Sequence, residues 1–294
     1  MEREWKLAFV ANLGYASMPA EDVITSLAAI GYQGVEWTTS HFDAVRPLAE
    51  LQSLVQQTRD AGLEVSRIMA HEDLVTLDDA VRLERIRKTV RVIEAAGECR
   101  VANVGTMTGP APWDSRAPKV GRDISESAAW AQVLEAYEAF LAAAERSGVT
   151  ITSEGVFGMV AHDFYSHLYL MDRAASSRHK VNLDPSHGAL YGNLDIGWVI
   201  REWGDRIGHV HLKDAAGQPE MGRFLFPLLG EGLVDWRAFF GGLGDIGYRG
   251  FCSVEFESFA YYRQVLRSDP EAAARLSHQL VTAMVEADEN RSRG

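Results

Sequence analysis

Two stretches decide how this chain is read: VNLDPSHGAL at residues 181–190 and IGHVHLKDA at residues 207–215. Each is a short apolar run that delivers titratable side chains at its far end. The first brings Asp184 and His187, the second His209, His211, Lys213 and Asp214. A helical pattern over 196–203 separates them. Strand, helix, strand with chemistry repeated at the same end is the mark of parallel strands joined by crossover helices.

The pattern extends outward in both directions. Runs rich in Val, Ile and Phe predict strands at 6–12, 34–38, 64–70, 100–106, 150–154, 180–184, 207–212 and 251–255. Helical periodicity predicts helices at 20–30, 48–61, 77–96, 127–147, 167–177, 196–203, 236–243 and 270–286. Gly31, Gly62, Gly97 and Gly148 stand as left-handed stops for the first four. GYQGVEW (31–37) and GYRGFCSVEF (247–256) each place a glycine turn before a strand. Eight such units in 294 residues predict an α/β fold, a (β/α)8 TIM barrel, as a single domain over 1–294. The motif Gly242-Leu-Gly-Asp-Ile-Gly247 fits a dinucleotide fingerprint, but a helix precedes it and a strand follows. It is read as turn glycines, and no nucleotide cofactor is expected.

Composition excludes several functions. With 47% hydrophobic and 24% charged residues the balance is that of a globular protein. The net charge of −12 attracts neither nucleic acid nor an anionic membrane. Cys99 and Cys252 are expected as buried, reduced thiols. The start, MEREWKLAFVANLGY, lacks a signal peptide's apolar region, and no run approaches the roughly 20 residues of a membrane span. The expected location is the cytoplasm.

In a barrel of this kind the active site is built at the C-terminal ends of the strands. The residues expected there are Glu36, then His71 and Glu72, Asn103, Glu154, Asp184 with His187, the 209–214 run, and Glu255 with Glu257. Glu154, Asp184, His211 and Glu255 come from four strands that converge at one rim. Three carboxylates and one imidazole suit a divalent cation, which would also relieve their mutual repulsion. His209 and His211 are read as pointing to opposite faces, with His211, nearer the strand end, facing inward and His209 packed between strand and helix. Taken alone, Glu36 reads as a cap or salt-bridge partner and Asp214 as a cap for the segment after it.

These same stretches carry a resemblance. GYQGVEW, TSEG (152–155), LDPSH (183–187), HVHLKD (209–214), LGEGLVDW (229–236) and SVEFES (253–258) follow one another in the order found in the xylose-isomerase-like superfamily of TIM barrels. That group holds the sugar phosphate isomerases and epimerases, with ketose 3-epimerases, hydroxypyruvate isomerase and inosose dehydratase and isomerase among them. The resemblance implies that Glu154, Asp184, His211 and Glu255 hold one divalent ion, manganese foremost, with magnesium, cobalt or zinc also suitable. It implies that Glu154 and Glu255 act as the acid/base pair on a metal-stabilised enediolate. It also implies that His187 touches substrate. Lys213, Arg223, His71, Glu36 and Glu257 complete the expected substrate-binding set.

The function expected is a metal-dependent isomerase or epimerase of a sugar or keto-polyol. The alternatives are a lyase of the same superfamily, either an inosose-type dehydratase or a 3-keto-glycoside eliminase, and a non-catalytic sugar-binding barrel. The expected partners are a small sugar-like substrate and further copies of the chain in a dimer or tetramer, with no nucleic acid and no membrane. The loop 215–232 is long and oddly apolar, with Phe224 to Leu229 in one run. It is expected to form a wall of the substrate pocket or an interface, with Arg223 reaching the ligand; an apolar wall favours a substrate with a bulky substituent.

Overall fold

Apolar runs of four to six residues, each followed by a helix with one greasy stripe, can bury both surfaces by closing on themselves with the helices outside. The computed structural model describes residues 4–292 and shows that solution. The barrel strands are β1 (Lys6–Val10), β2 (Gly34–Thr38), β3 (Glu64–Met69), β4 (Asn103–Thr106), β5 (Thr150–Glu154), β6 (His179–Leu183), β7 (Ile207–Leu212) and β10 (Phe251–Val254). They pair in parallel in sequence order, and β1 closes the ring by pairing with β10. Two further strands, β8 (Ala216–Gly217) and β9 (Phe224–Leu225), form an antiparallel hairpin in the loop after β7.

The helices are α1 (Ala20–Ile30), α2 (Pro47–Asp60), α3 (Asp79–Glu98), α4 (Glu126–Ser147), α5 (Phe164–Arg173), α6 (Pro185–Leu190), α7 (Ile196–Trp203), α8 (Trp236–Asp245), α9 (Phe259–Gln264) and α10 (Pro270–Ser292). Gly31, Gly62 and Gly148 take positive φ and end their helices as expected. Gly97 does not. The helix α3 runs through it to Glu98, and a Cβ there would lie 2.6 Å from the Ser147 carbonyl oxygen. Gly97 lets α3 and α4 pack closely, and Arg100 takes the left-handed turn instead. That turn delays β4 to Asn103, which therefore opens its strand rather than ending it. Gly242 and Gly244 lie inside α8, and only Gly247 sits in a positive-φ turn.

Both cysteines are buried and neither forms a disulfide. Among the described residues no helix is long and apolar enough to cross a membrane. The main core lies between strands and helices, and a second, smaller cluster around Met107, Val156, Phe157, Met159 and Phe226 sits above the C-terminal end of the barrel.

Candidate active site

Side chains on a strand alternate between faces, so residues two apart share one. That rule stacks the barrel interior in layers. The series Thr152–Glu154, Asn182–Asp184, His209–His211–Lys213 and Ser253–Glu255–Glu257 all climb toward the same mouth. It also corrects the reading of His209. Residues 209 and 211 are two apart, so both face inward, and both reach Glu36: His209 Nε2 lies 2.9 Å from Oε2, and His211 Nε2 lies 3.2 and 3.3 Å from the two oxygens.

The lower layer centres on Arg67, which the sequence reading passed over. It is fully buried in β3, directly beside Glu36 in the strand register. Its Nε donates to Glu36 Oε1 at 2.7 Å, and its Nη2 lies 2.6 Å from the same oxygen. Nη2 is also 2.9 Å from His211 Nε2 and 3.8 Å from Glu154 Oε2. Burial alone would raise the Glu36 pKa, but Arg67, His211 and His209 drive it well below the usual carboxylate range. Glu36 is buried beneath the site as the partner of Arg67 and is not among the residues that line the cavity. The signal for Arg67 was present, since a guanidinium inside an apolar strand must have a buried partner.

The upper layer holds the candidate metal ligands. One donor atom from each of Glu154, Asp184, His211 and Glu255 lies within 4.8 Å of the others, and all four residues are buried. Glu154 ends β5 and accepts from Asn182 Nδ2 at 2.8 Å. Asp184 caps α6, where Oδ1 accepts from the Ser186 amide (2.8 Å) and hydroxyl (2.6 Å). Its Oδ2 is buried with no hydrogen bond, and so is His211 Nδ1. That nitrogen faces Glu154 Oε2 at 3.5 Å, Glu255 Oε2 at 3.4 Å and Asp184 Oδ2 at 4.0 Å.

Charge follows geometry. Burial would raise both glutamate pKa values. For Glu154 the His211 ring, and for Glu255 the Lys213 ammonium and then His211, reverse this; Glu154 falls well below its ordinary range and Glu255 to about 2. Burial would lower the His211 pKa, but Glu154, Glu36 and Glu255 hold it well above. His211 Nδ1, buried without a hydrogen bond and facing three carboxylates, completes a set of three carboxylates and one imidazole that fits a divalent cation with hard or borderline preference.

Around this centre stand the other expected residues. Lys213 Nζ is 3.0 Å from Asp184 Oδ2 and 3.2 Å from Glu257 Oε2, and it also donates to Glu255. It donates to His187 Nε2 at 3.2 Å. Burial depresses the His71 pKa to about 4; its Nε2 lies 3.6 Å from Glu154 Oε2. His71, His187, Lys213 and Glu257 all line the same cavity of about 890 Å³, with Glu154 and Glu255 in its floor. Arg223 does not join them. It is exposed in the turn of the β8–β9 hairpin, paired with Glu220 at 3.0 Å, and stands outside the cavity lining. Asp214 caps more than was expected: its carboxylate accepts from the amides of Ala215, Gly230, Gly232 and Val234 and from Trp236 Nε1, at 2.9–3.1 Å.

With the closed barrel and this rim in view, the family model described as xylose isomerase-like TIM barrel matches residues 24–283. The chain belongs to the xylose isomerase-like TIM barrel family. It is 24% identical to inosose dehydratase of Geobacillus kaustophilus (strain HTA426), over 90% of this chain and 89% of that one. It is 25% identical to L-ribulose 3-epimerase of Mesorhizobium japonicum, over 86% and 80%. The apo form of 3-keto-D-glucoside 4-epimerase from E. coli superposes with a TM-score of 0.74 at 16% identity, covering 95% of this chain and 99% of that one. Epimerases and dehydratases therefore both stand among the relatives of this family member.

Proposed function

We propose that this family member is a divalent-metal-dependent isomerase or epimerase of a sugar or keto-polyol, which moves a proton on a carbon beside a carbonyl. The observation that supports this reading is the pairing of Glu154 and Glu255. Glu154 ends β5 and Glu255 follows β10; both face His211 Nδ1, at 3.5 and 3.4 Å, and both open onto the cavity floor. Bound there, a divalent ion would supply Lewis acidity to the carbonyl and hydroxyl oxygens of the substrate.

The chain's own groups supply the rest. Asn182 occupies Glu154 Oε2, and Oε1, which faces His187 Nε2 at 3.5 Å, takes or returns the proton. Glu255, kept ionised by Lys213 and His211, is the second proton carrier. Proton return to the neighbouring carbon by the same glutamate gives an isomer, and return to the same carbon from the opposite face by the other glutamate an epimer. His187, with Nε2 accepting from Lys213 and its ring stacked on Phe157, fixes the orientation of the hydroxylated end. A lyase is the second reading. Elimination needs an acid for the leaving group, and Glu257, whose carboxyl burial holds above its ordinary range, lines the same cavity.

The test is incubation of ketoses, inososes and 3-keto-glycosides with the Mn²⁺-loaded protein in D2O, followed by NMR. Carbon–hydrogen exchange that disappears in Glu154→Gln and Glu255→Gln supports the reading. Rearranged products point to the isomerase, dehydrated or cleaved products to the lyase, and absence of exchange across all three classes defeats both.

A further inference from the structure

The cavity has two zones. Its floor is ionic, with Glu154, His187, Lys213, Glu255 and Glu257. Its walls are apolar and come from several separate loops: Met107 and Trp113 after β4, Phe157 after β5, Phe224 and Leu225 in the hairpin, Phe259 in α9. A small hydroxylated substrate would be held by the floor. At about 890 Å³ the cavity is near the upper end of the roughly 300–1,000 Å³ range of ligand sites, well beyond what a lone sugar ring fills.

The walls are also ordered. A run of rings leads from the floor to the mouth. His187 stacks on Phe157 with centroids 5.7 Å apart, and Phe157 meets Trp113 at 6.4 Å. Phe157 packs edge-on against Phe224 at 4.5 Å, and Phe224 against Phe226 at 5.1 Å. These rings do not belong to the main core; Phe157 and Phe226 sit in the separate cluster, with Phe224 packed against it. At the rim, Trp113 is 54% and Leu225 57% exposed, and Met221 and Phe259 are exposed beside them. Large apolar side chains left open on one rim, directly above a reactive floor, mark a binding surface.

We propose that the upper cavity is a subsite for an aromatic substituent on the substrate: the hydroxylated end lies on the ionic floor and a flat ring lies against the cavity side of the Phe157–Phe224 pair and Trp113. The reading rests on the assignment of the reacting end to Glu154 and Glu255. An aromatic group is favoured over an alkyl chain because the walls present ring faces and edges, which gain from offset and edge-on contact, with Met107 and Met221 to adapt around it. Continuity with the floor favours one amphipathic substrate over a second copy of the chain.

The experiment is calorimetric binding, without turnover, of 4-nitrophenyl β-D-glucopyranoside, octyl β-D-glucopyranoside and methyl β-D-glucopyranoside to the metal-loaded protein. Ring burial on this scale predicts that the aryl glycoside binds about ten-fold or more tightly than the methyl one. Phe224→Ala and Trp113→Ala should each move that ratio toward one, and a thermal melt of each variant shows whether it is folded. Equal affinities for aryl and methyl glycosides, or an aryl preference that survives both substitutions in folded protein, overturn the subsite. An octyl glycoside that matches the aryl one overturns its aromatic character. A changed oligomer mass in the two variants with the ratio intact would make the rim an interface and also overturn it. Aryl preference without C–H exchange in D2O would keep the subsite and sink the reaction, and the reverse result would do the opposite.

Discussion

Glu36 holds His211 from beneath. The His211 Nε2 atom lies 3.2 and 3.3 Å from the two Glu36 oxygens, and Nδ1 on the far edge of the ring faces the three upper carboxylates with no hydrogen bond of its own. A metal-binding imidazole needs one bare nitrogen, and a carboxylate on the other nitrogen fixes which one that is. Arg67 in turn fixes Glu36 through Nε and Nη2.

Glu36→Gln should therefore lower the affinity for a divalent ion by about 10–100-fold, although Glu36 lies outside the cavity lining. It also strips Arg67 of its buried partner, which should cost on the order of 3–5 kcal/mol of stability. Chelator competition reads the first effect and urea unfolding the second. Unchanged metal affinity in the folded variant would show that Glu36 is structural only.

Glu154→Gln keeps the shape of the side chain and its contact with Asn182. It should fold, bind substrate and lose about 10² to 10⁴ in kcat. A small rate change with a large fall in Tm would assign Glu154 to the scaffold.

Asp214 ties both ends of the 215–232 loop to one carboxylate. In Asp214→Asn an amide nitrogen would confront donors it cannot accept from. We expect faster hydrogen exchange over residues 215–232 and a rise in KM larger than the fall in kcat, because the hairpin wall of the cavity loosens. Unaltered exchange in that loop would show that the clamp is redundant.

Stability should fall on acidification well before the carboxylates titrate. Ser153 links two buried histidines, 2.8 Å from Nε2 of each, and His179 Nδ1 donates to the Ala174 carbonyl. Burial lowers the His179 pKa to about 4 and the His167 pKa to about 3. Unfolded, both return to near 6.5. Between those values the unfolded chain binds more protons, so stability is full above about pH 6.5 and falls as pH drops, by on the order of 3 kcal/mol for His179. His179→Gln should be less stable at pH 7.5 and should show a flatter urea-midpoint profile between pH 6.5 and 4; an unaltered profile would free His179 of the effect.

The barrel was legible because its signal is long-ranged. Eight apolar runs, each with a helix after it, leave few other ways to bury both faces of a sheet. Glu154, Asp184, His211 and Glu255 were legible for the same reason, standing at or one residue from the C-terminal ends of strands that must converge. What escaped depended on stricter use of the two-residue period. It places His209 beside His211 and puts Arg67 in the register of Glu36, where a buried guanidinium and a buried glutamate explain each other. Gly97 escaped because a glycine that ends a helix and one that lets two helices touch look alike in sequence. Arg223 was assigned by its position in the chain, but the hairpin turn supplies it with Glu220 three residues away.

Four strand ends that form one divalent metal centre should hold their ion together. Elemental analysis of protein stripped with chelator, reloaded with Mn²⁺ and dialysed tests it directly. The structure predicts about one ion per chain for the wild type and almost none for the folded Asp184→Asn, Glu255→Gln double variant. Full metal occupancy in that variant would contradict the account.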